Sequence, residues 1–236
     1  AYKPEQLNRR INSLMTRVGV KSLDEYTLLI KNNSEQRQKF LDFITINVTE
    51  FFRNPELFKE LENQIKNNLL INNSSLKIWS AACSIGCEPY TLGIILDKLS
   101  QISNHNIIAT DIDNTILSKA KIGEYTKNEM KSVNNADLNK YFKIVDDKYY
   151  IDEKIKKMVT FKKHDLILDS YENNFDLIVC RNVVIYFNND IKQEIYEKFS
   201  RSLKKGGLLF VGATESIYNY RDYGFEKAST FIYKKV

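Results

Sequence analysis

The hydrophobic positions of the chain follow two different periods. Up to about residue 70, apolar residues recur at three- and four-residue steps, which is the spacing of a buried helix face. Beyond residue 70, short continuous apolar runs alternate with amphipathic stretches, a pattern typical of parallel strands joined by helices. We therefore predict a helical domain with its linker over residues 1–70 and an α/β domain over residues 71–236.

Helix start and stop signals divide the first domain into elements. Gly19 follows the first apolar stripe as a C-terminal glycine should, and Ser22 with Glu25 three residues later forms a capping box. A third helix is predicted from Ser34. A further helix is predicted after Pro55, since proline suits the first turn of a helix.

The second domain reads as a Rossmann-like sheet with a closing antiparallel pair. The predicted parallel strands are, in order, Leu76–Trp79, Asn106–Thr110, Val159–Phe161, Phe175–Cys180 and Leu208–Val211. The closing pair is predicted at Phe225–Glu226 and Thr230–Tyr233, and a small β-hairpin subdomain at about residues 143–151. The helix predicted before the fifth strand ends in a basic turn and glycines at Lys204–Gly207.

The turn after the first strand is rich in small residues. It passes through Ala82 and Ser84 to Gly86, and then Glu88 opens a helix. Small side chains let a ligand approach the backbone, and glycine adopts dihedrals that other residues resist. Only one glycine is present, so the dinucleotide pattern Gly-x-Gly-x-x-Gly is absent. A cofactor without phosphates would explain the absence of that pattern.

Polar residues follow the other predicted strands, where ligands bind in open α/β sheets. Asp111 lies roughly 20 residues beyond the glycine turn, which is where such folds bind ribose hydroxyls. Arg181, Asn182 and Tyr186 follow the fourth strand and are site candidates by position. Asp165 follows the third strand and reads as a turn residue or as an adenine contact.

Composition narrows the possible partners. The net charge of +5 is mildly basic, which falls short of a nucleic-acid-binding signature. No apolar run approaches the roughly 20 residues of a membrane span, and no leader is expected because the first residues are polar. The three cysteines predict free thiols in a reducing cytosol. The alternative, a metal site at Cys83 and Cys87, is disfavoured because neither histidine lies near them in sequence.

Two further features each carry two interpretations. Arg9, Arg10 and Arg17 make one side of the helical domain basic, either as a solvated face or as a docking surface for an acidic helix. Phe51 and Phe52 are predicted core anchors, and the adjacent Arg53 is either a surface ion-pair residue or a functional one.

Five motifs, in order and spanning nearly the whole chain, resemble the CheR family of chemotaxis receptor methyltransferases. They are Asn-Val-Thr-Glu-Phe-Phe-Arg at 47–53, Trp-Ser-Ala-Ala-Cys-Ser-x-Gly-x-Glu-Pro-Tyr at 79–90, Thr-Asp-Ile-Asp at 110–113, Cys-Arg-Asn-Val-x-Ile-Tyr-Phe at 180–187 and Gly-Gly-Leu-Leu-Phe-x-Gly-x-x-Glu-Ser at 206–216. The fold that this resemblance implies is a class I S-adenosylmethionine-dependent methyltransferase with a separate N-terminal all-helical domain.

The resemblance also implies a reaction and a setting. The cofactor would be S-adenosylmethionine, leaving as S-adenosylhomocysteine, with no metal. The substrate would be glutamate side chains on the cytoplasmic helices of methyl-accepting chemoreceptors, giving glutamate methyl esters for chemotactic adaptation. A monomeric protein in the cytoplasm, recruited to receptor arrays, is expected. A methyltransferase with another acceptor, or a non-catalytic module that senses S-adenosylmethionine, would retain the same cofactor motifs.

The resemblance assigns roles to residues by matching positions. The implied cofactor-binding residues are Asn47, Thr49, Arg53, Ala82, Glu88, Asp111, Asp165, Leu166, Arg181 and Asn182. Arg53 and Tyr186 are the implied catalytic residues, and Arg9, Arg10 and Arg17 would dock the receptor. Cys87 departs from the family pattern, in which Glu or Gln is common. The 143–151 hairpin tethers a receptor tail in some family members, but it is short and glycine-free here, which favours tail-independent recognition.

Overall fold

The computed structural model describes residues 4–44, 49–71, 73–100 and 104–236. The α-helices are α1 (Pro4–Val18), α2 (Leu23–Asn32), α3 (Ser34–Ile44), α4 (Pro55–Gln64), α5 (Cys87–Leu99), α6 (Asn114–Ile122), α7 (Asn135–Tyr141), α8 (Glu153–Lys156) and α9 (Asn189–Ser202). The strands are β1 (Lys77–Ala81), β2 (Asn106–Asp111), β3 (Glu124–Tyr125), β4 (Phe142–Val145), β5 (Lys148–Ile151), β6 (Val159–Lys163), β7 (Phe175–Cys180), β8 (Leu203–Val211), β9 (Phe225–Lys227) and β10 (Ile232–Lys235). A π-helix continues α4 over Ile65–Leu69, and 3₁₀ turns lie at Val184–Tyr186 and Tyr220–Tyr223.

The contacts divide the chain into two compact units. One contains α1, α2 and α3 together with Tyr186–Asn189, and the other contains the chain from Thr49 to Ile185 and from Asp190 onward. The division falls earlier than the boundary after residue 70 that the sequence predicts. The reason is that Phe58 of α4 packs in the hydrophobic core of the second unit.

The helical unit is held by a small core and by a capped helix. Leu14, Met15 and Tyr26 form its buried centre. The Ser22 side chain accepts a hydrogen bond from the Glu25 backbone N–H, as predicted. The Glu25 carboxylate, however, accepts from the Lys21 N–H at 2.9 Å, so the reciprocal bond of the capping box goes to the preceding residue.

The second unit contains the predicted α/β sheet with an antiparallel strand at its end. Its seven strands have the order β6-β2-β1-β7-β8-β10-β9. The five strands from β6 to β8 are parallel, and β10 is antiparallel to both of its neighbours. Strand β7 is buried along its whole length, as its continuous apolar run predicts. This confirms the fold class.

One predicted helix end was wrong. Lys204–Gly207 belongs to β8, which begins at Leu203 directly after α9. Leu203 pairs with Phe175, and the register then shifts before the pairing resumes. Gly206 has a φ of +80°, so the glycine serves an irregularity within a strand rather than a helix C-terminus.

A separate three-stranded sheet has the order β3-β5-β4 and contains the predicted hairpin. Asp146 and Asp147 form its turn with φ values of 48° and 59°. Two successive left-handed residues match the twist of the flanking strands. None of the helices within the described ranges is both long and apolar enough to cross a membrane.

Candidate active site

The candidate site is built where four neighbouring parallel strands end. The pairing of the sheet places residues at their carboxyl ends side by side, in the order Thr110, Ala81, Cys180 and Val211. The residues that follow these strands therefore leave the sheet at one edge. They include Ala82, Arg181 and Gly212, and Asp111 is the last residue of β2.

The turn after β1 carries unusual backbone conformations. Ala82 and Ser84 have φ values of 60° and 50°, and Gly86, which precedes α5, has a φ of 90°. A Cβ atom at Gly86 would lie 3.1 Å from the Ala120 Cβ, so the glycine is required by space as well as by dihedral. Left-handed alanine and serine are strained, and strain of this kind is typical of functional sites.

Asp111, at the end of β2, holds this turn in place. Its two carboxylate oxygens accept hydrogen bonds from the Ser84 N–H at 2.9 Å and the Asp113 N–H at 3.1 Å. Burial raises the pKa of Asp111, and these backbone hydrogen bonds oppose the increase. Each carboxylate oxygen can accept a further hydrogen bond, which a vicinal diol could donate. Asp113 caps α6, since its side chain accepts from the N–H groups of Thr115 and Ile116.

Glu88, in the first turn of α5, is the second acidic group at this edge. Its Oε1 accepts from the Ser80 hydroxyl at 2.8 Å, while its Oε2 lies 3.8 Å from Arg181 Nη1. Burial raises the pKa of Glu88, and the positive charge of Arg181 opposes this effect. Because the ion pair is long, Glu88 retains acceptor capacity for a further cation such as an ammonium group.

Arg181 is almost fully buried after β7. Its Nη2 donates to the Arg53 carbonyl at 2.9 Å and to Asn54 Oδ1 at 3.0 Å. Its guanidinium carbon lies 4.9 Å from the centre of the Phe58 ring and 4.8 Å from that of Phe210. Burial lowers the pKa of Arg181. The guanidinium therefore braces the segment that carries Arg53, a contact that sequence reasoning did not predict.

The segment from Thr49 to Asn54 is anchored on the rest of the second unit. Phe51 is fully buried and packs edge-on against the Tyr125 ring, with centroids 4.8 Å apart, which confirms its predicted core role. The Phe52 N–H donates to the Thr91 hydroxyl at 3.1 Å. Phe52 and Asn54 both have left-handed φ values, 54° and 62°, on either side of Arg53.

Cys87, the position that departs from the family pattern, is a core residue. It is fully buried at the start of α5, and burial raises the pKa of its thiol far above the ordinary value. The Thr49 side chain opposes this increase in the pKa of Cys87. All three cysteines are free and buried. No group of three or more metal-ligating side chains occurs in the part of the chain that the structure describes.

Glu215 is an acidic residue of this edge whose role the sequence analysis did not assign. It is 4% exposed and follows β8. Its carboxylate accepts backbone hydrogen bonds from Asn182, Val183, Ile185 and Gly212, at 2.5, 2.9, 3.3 and 2.9 Å. Burial raises the pKa of Glu215, and these hydrogen bonds oppose that effect. The sequence signal that could have indicated this role is an acidic residue three positions beyond the glycine that follows a strand.

The remaining predicted site residues lie in several environments. Asp165 acts as a turn residue, because its Oδ1 accepts from the N–H groups of Ile167 and Leu168 at 2.8 and 3.2 Å. Leu166 is buried, and Asn182 has a left-handed φ of 61°. Tyr186 lies at the end of a 3₁₀ turn. Asn47 lies outside the described residues.

Two of the three arginines on the basic face pack against their own unit. Arg10 donates a hydrogen bond to the Phe43 carbonyl. The guanidinium carbons of Arg10 and Arg17 lie 4.5 and 4.8 Å from the centre of the Phe43 ring. Arg9 and Arg17 are nevertheless exposed overall.

Comparison with known proteins gives matches over both units. The family model "CheR methyltransferase, SAM binding domain" matches residues 47–232, and "CheR methyltransferase, all-alpha domain" matches residues 1–45. A chemotaxis protein methyltransferase of Listeria monocytogenes is 40% identical over 99% of this chain and 90% of that protein. One of Borreliella burgdorferi is 35% identical over 95% of this chain and 84% of that protein.

Among solved structures, a TehB-like SAM-dependent methyltransferase from Corynebacterium glutamicum is 16% identical. The match has a TM-score of 0.43 and covers 73% of this chain and 84% of that chain. This likeness is too low to add to the result of the family models.

Proposed function

The chain belongs to the CheR methyltransferase family, and we propose that it methylates glutamate side chains on the cytoplasmic helices of chemoreceptors. Its cofactor is S-adenosylmethionine. The product of the proposed reaction is a glutamate methyl ester that adjusts receptor signalling during adaptation. The observation that carries the proposal is a pair of carboxylates, the half-buried Glu88 and the buried Asp111, on either side of a strained turn of small residues.

The residues at this edge fit the chemistry of the cofactor. S-adenosylmethionine has a ribose diol, an amino-acid ammonium and carboxylate, and no phosphate. Asp111 has spare acceptor capacity for the diol, and Glu88 has it for the ammonium. Arg53 is the proposed partner of the carboxylate, because a planar guanidinium makes two parallel bonds to it. The turn with a single glycine suits a ligand without phosphates.

Other matched positions complete the proposed cofactor site. Asn47, Thr49 and Ala82 are proposed to contact the amino-acid end, and Asp165, Leu166 and Asn182 to line the adenosine. Arg181 is proposed to act mainly through the segment that it braces, since its Nη2 already donates two hydrogen bonds within the protein. The Glu88 carboxylate, which we propose as the acceptor for the cofactor ammonium, lies 3.8 Å from Arg181 Nη1.

The proposed chemistry needs no general base. The bound cofactor supplies a methyl group activated by a sulfonium, and a glutamate carboxylate is already ionised at neutral pH. The chain's task is therefore to orient the attacking oxygen and to exclude water from it. Arg53 and the Tyr186 hydroxyl are the groups that we propose for this orientation.

Labelled S-adenosylmethionine tests this proposal with purified receptor cytoplasmic fragments as acceptors. Wild type is expected to label the fragments, whereas Arg53→Ala and Tyr186→Phe should retain the wild-type circular dichroism spectrum and lose most of the labelling. Arg201→Ala is the matched control, since that side chain is 73% exposed on α9. Unchanged turnover in both site variants would contradict the assigned roles. Labelling of other acceptors only, or cofactor binding without transfer, would contradict the proposed reaction.

A further inference from the structure

Glu215 joins two loops that end neighbouring strands. Its Oε1 accepts the N–H groups of Val183 and Ile185, and its Oε2 accepts those of Asn182 and Gly212. Three of these donors belong to the segment after β7, and the fourth belongs to the segment after β8. One carboxylate therefore fixes the path of the backbone that follows Arg181.

The space around this carboxylate is fully used. A Cβ atom added to Gly212 would lie 2.3 Å from Glu215 Oε2 and 3.0 Å from the Asn182 nitrogen. Any larger residue at Gly212 would therefore push the carboxylate away from its donors. Asn182, which is held by the shortest of the four bonds, has a left-handed φ of 61°. Asparagine adopts this conformation more readily than most residues with a side chain, and the Glu215 hydrogen bond holds it there.

The negative charge of Glu215 is held mainly by backbone groups. Glu215 is 4% exposed, and within the described part of the chain it forms no ion pair with a basic side chain. Backbone N–H groups supply its four hydrogen bonds, and the positive charge of Arg181 interacts with it electrostatically. Burial of a carboxylate is costly, so its charge depends on keeping these four donors in place. The loop that it fixes lies at the edge where the proposed cofactor site is formed.

We propose that Glu215 is a positioning residue for methyl transfer. It holds Asn182 and the 3₁₀ turn Val184–Tyr186 in the conformation that binds the cofactor and aligns the acceptor. This inference rests on the proposed function for its catalytic part. Its binding part concerns the cofactor alone and does not depend on the identity of the acceptor.

Two substitutions disturb this carboxylate in different ways. Glu215→Gln keeps the size of the side chain but points an amide NH₂ at N–H donors that require an acceptor. Gly212→Ala keeps the carboxylate and displaces it by contact. Agreement between the two variants would therefore identify the geometry as the cause, and Gly212→Ala carries the test alone if Glu215→Gln does not fold.

Asp176→Asn provides the matched control. Asp176 is 4% exposed in the same sheet and accepts from the Lys77 N–H at 2.8 Å and from Lys204 Nζ at 2.6 Å. It lies near the start of β7, at the end of the strand away from the candidate site. The Asp176→Asn variant therefore replaces a buried carboxylate comparable to that of Glu215 and leaves the loops at the carboxyl edge undisturbed.

The experiment measures S-adenosylhomocysteine binding by calorimetry and receptor methylation at saturating cofactor, at a temperature where every variant is folded. Glu215→Gln and Gly212→Ala are expected to weaken binding by about tenfold or more and to lower kcat, since small misplacements are costly. Asp176→Asn should lose thermal stability and keep both values. Lowered stability with unchanged binding and kcat in both loop variants would overturn the inference. Failure of wild type to methylate receptors would contradict the proposed function, while the binding measurement would still decide the inference.

Discussion

Three buried charged side chains, Asp111, Arg181 and Glu215, lie at the carboxyl edge of the sheet. Arg181 illustrates how such a residue is used, because its guanidinium lies near the rings of Phe58 and Phe210 while Nη2 reaches the backbone of Arg53. A lysine would keep the charge but would lose the planar stacking and the second hydrogen bond, to Asn54. The position thus depends on the shape of the cation as well as on its charge.

Arg181→Lys should therefore lower the free energy of unfolding by about 1–3 kcal/mol. It should also weaken binding of S-adenosylhomocysteine, because the Arg53 segment loses its brace. Urea unfolding and calorimetry measure the two effects. The control is Arg201→Lys at an exposed ion pair, which should change neither value. Equal behaviour of the two variants would contradict the proposed brace.

His105 predicts a pH dependence of stability. Its Nδ1 accepts from the Leu76 N–H at 3.2 Å, and burial lowers its pKa. The unfolded chain, with a histidine pKa of about 6.5, binds the proton more readily than the folded protein does. Stability is therefore lost as the pH falls below about 6.5 toward the folded pKa.

His105→Asn keeps an acceptor for Leu76 without a titrating ring. The free energy of unfolding of wild type, measured relative to this variant, should decrease between pH 7.5 and pH 5.5, which are conditions chosen to bracket about 6.5. Taking this difference cancels the contributions of His164, whose pKa burial also lowers, and of the buried acids. A constant difference across this range would contradict the prediction.

Some charged groups of the candidate site could be proposed from the sequence, whereas the contacts of others could not. Asp111 was proposed from its position at a strand end, where ligands bind, and Glu88 from the family resemblance. The roles of Arg181 as a brace and of Glu215 as a backbone acceptor could not. Both depend on contacts with residues distant in sequence, such as Arg53 and Asn182, that only the folded sheet brings together.

At the scale of elements, local residue patterns predict most helices and strands, and pairing between distant strands decides the ambiguous ones. The buried strand β7 and the β4–β5 hairpin were predicted because their residue patterns are local. Lys204–Gly207 was misread as a helix end, since a basic turn followed by glycine fits either that or an irregular strand. Pairing with Phe175, which is remote in sequence, selects the strand.

The hairpin turn offers an element-scale test. Asp147 has a φ of 59°, so Asp147→Gly should raise the free energy of unfolding by about 0.5 kcal/mol through relief of the left-handed strain. The same change at Asp152, which has a φ of −61° and caps α8, should be destabilising because it removes the capping acceptor. Thermal unfolding of both variants measures the signs. A loss of stability in Asp147→Gly would contradict this explanation.

At the scale of the whole molecule, the charge distribution bears on how the receptor is recognised. Arg9 and Arg17 are exposed, whereas Arg10 is half-buried against Phe43. We therefore expect Arg9 and Arg17 to contact an acidic receptor helix and Arg10 to support the helices that present them. Such exposed contacts act mainly on encounter and weaken as salt is added.

Arg9→Glu should raise the KM for receptor fragments several-fold and leave S-adenosylhomocysteine affinity unchanged. The effect should shrink at high salt, since a Debye length is about 8 Å at physiological ionic strength. Lys205→Glu, an exposed position on β8, makes the same change in net charge and serves as the control. Equal increases in KM for both variants would indicate net charge rather than a docking face.

Mass spectrometry of receptor peptides after incubation with wild-type protein and S-adenosylmethionine tests the central claim most directly. The account predicts added methyl groups on glutamate side chains of the cytoplasmic helices, removable by mild alkali as esters are, and strongly reduced in Arg53→Ala. Receptor peptides whose glutamates all stay unmodified while the protein binds the cofactor, or methyl groups found only on other side chains, would contradict it.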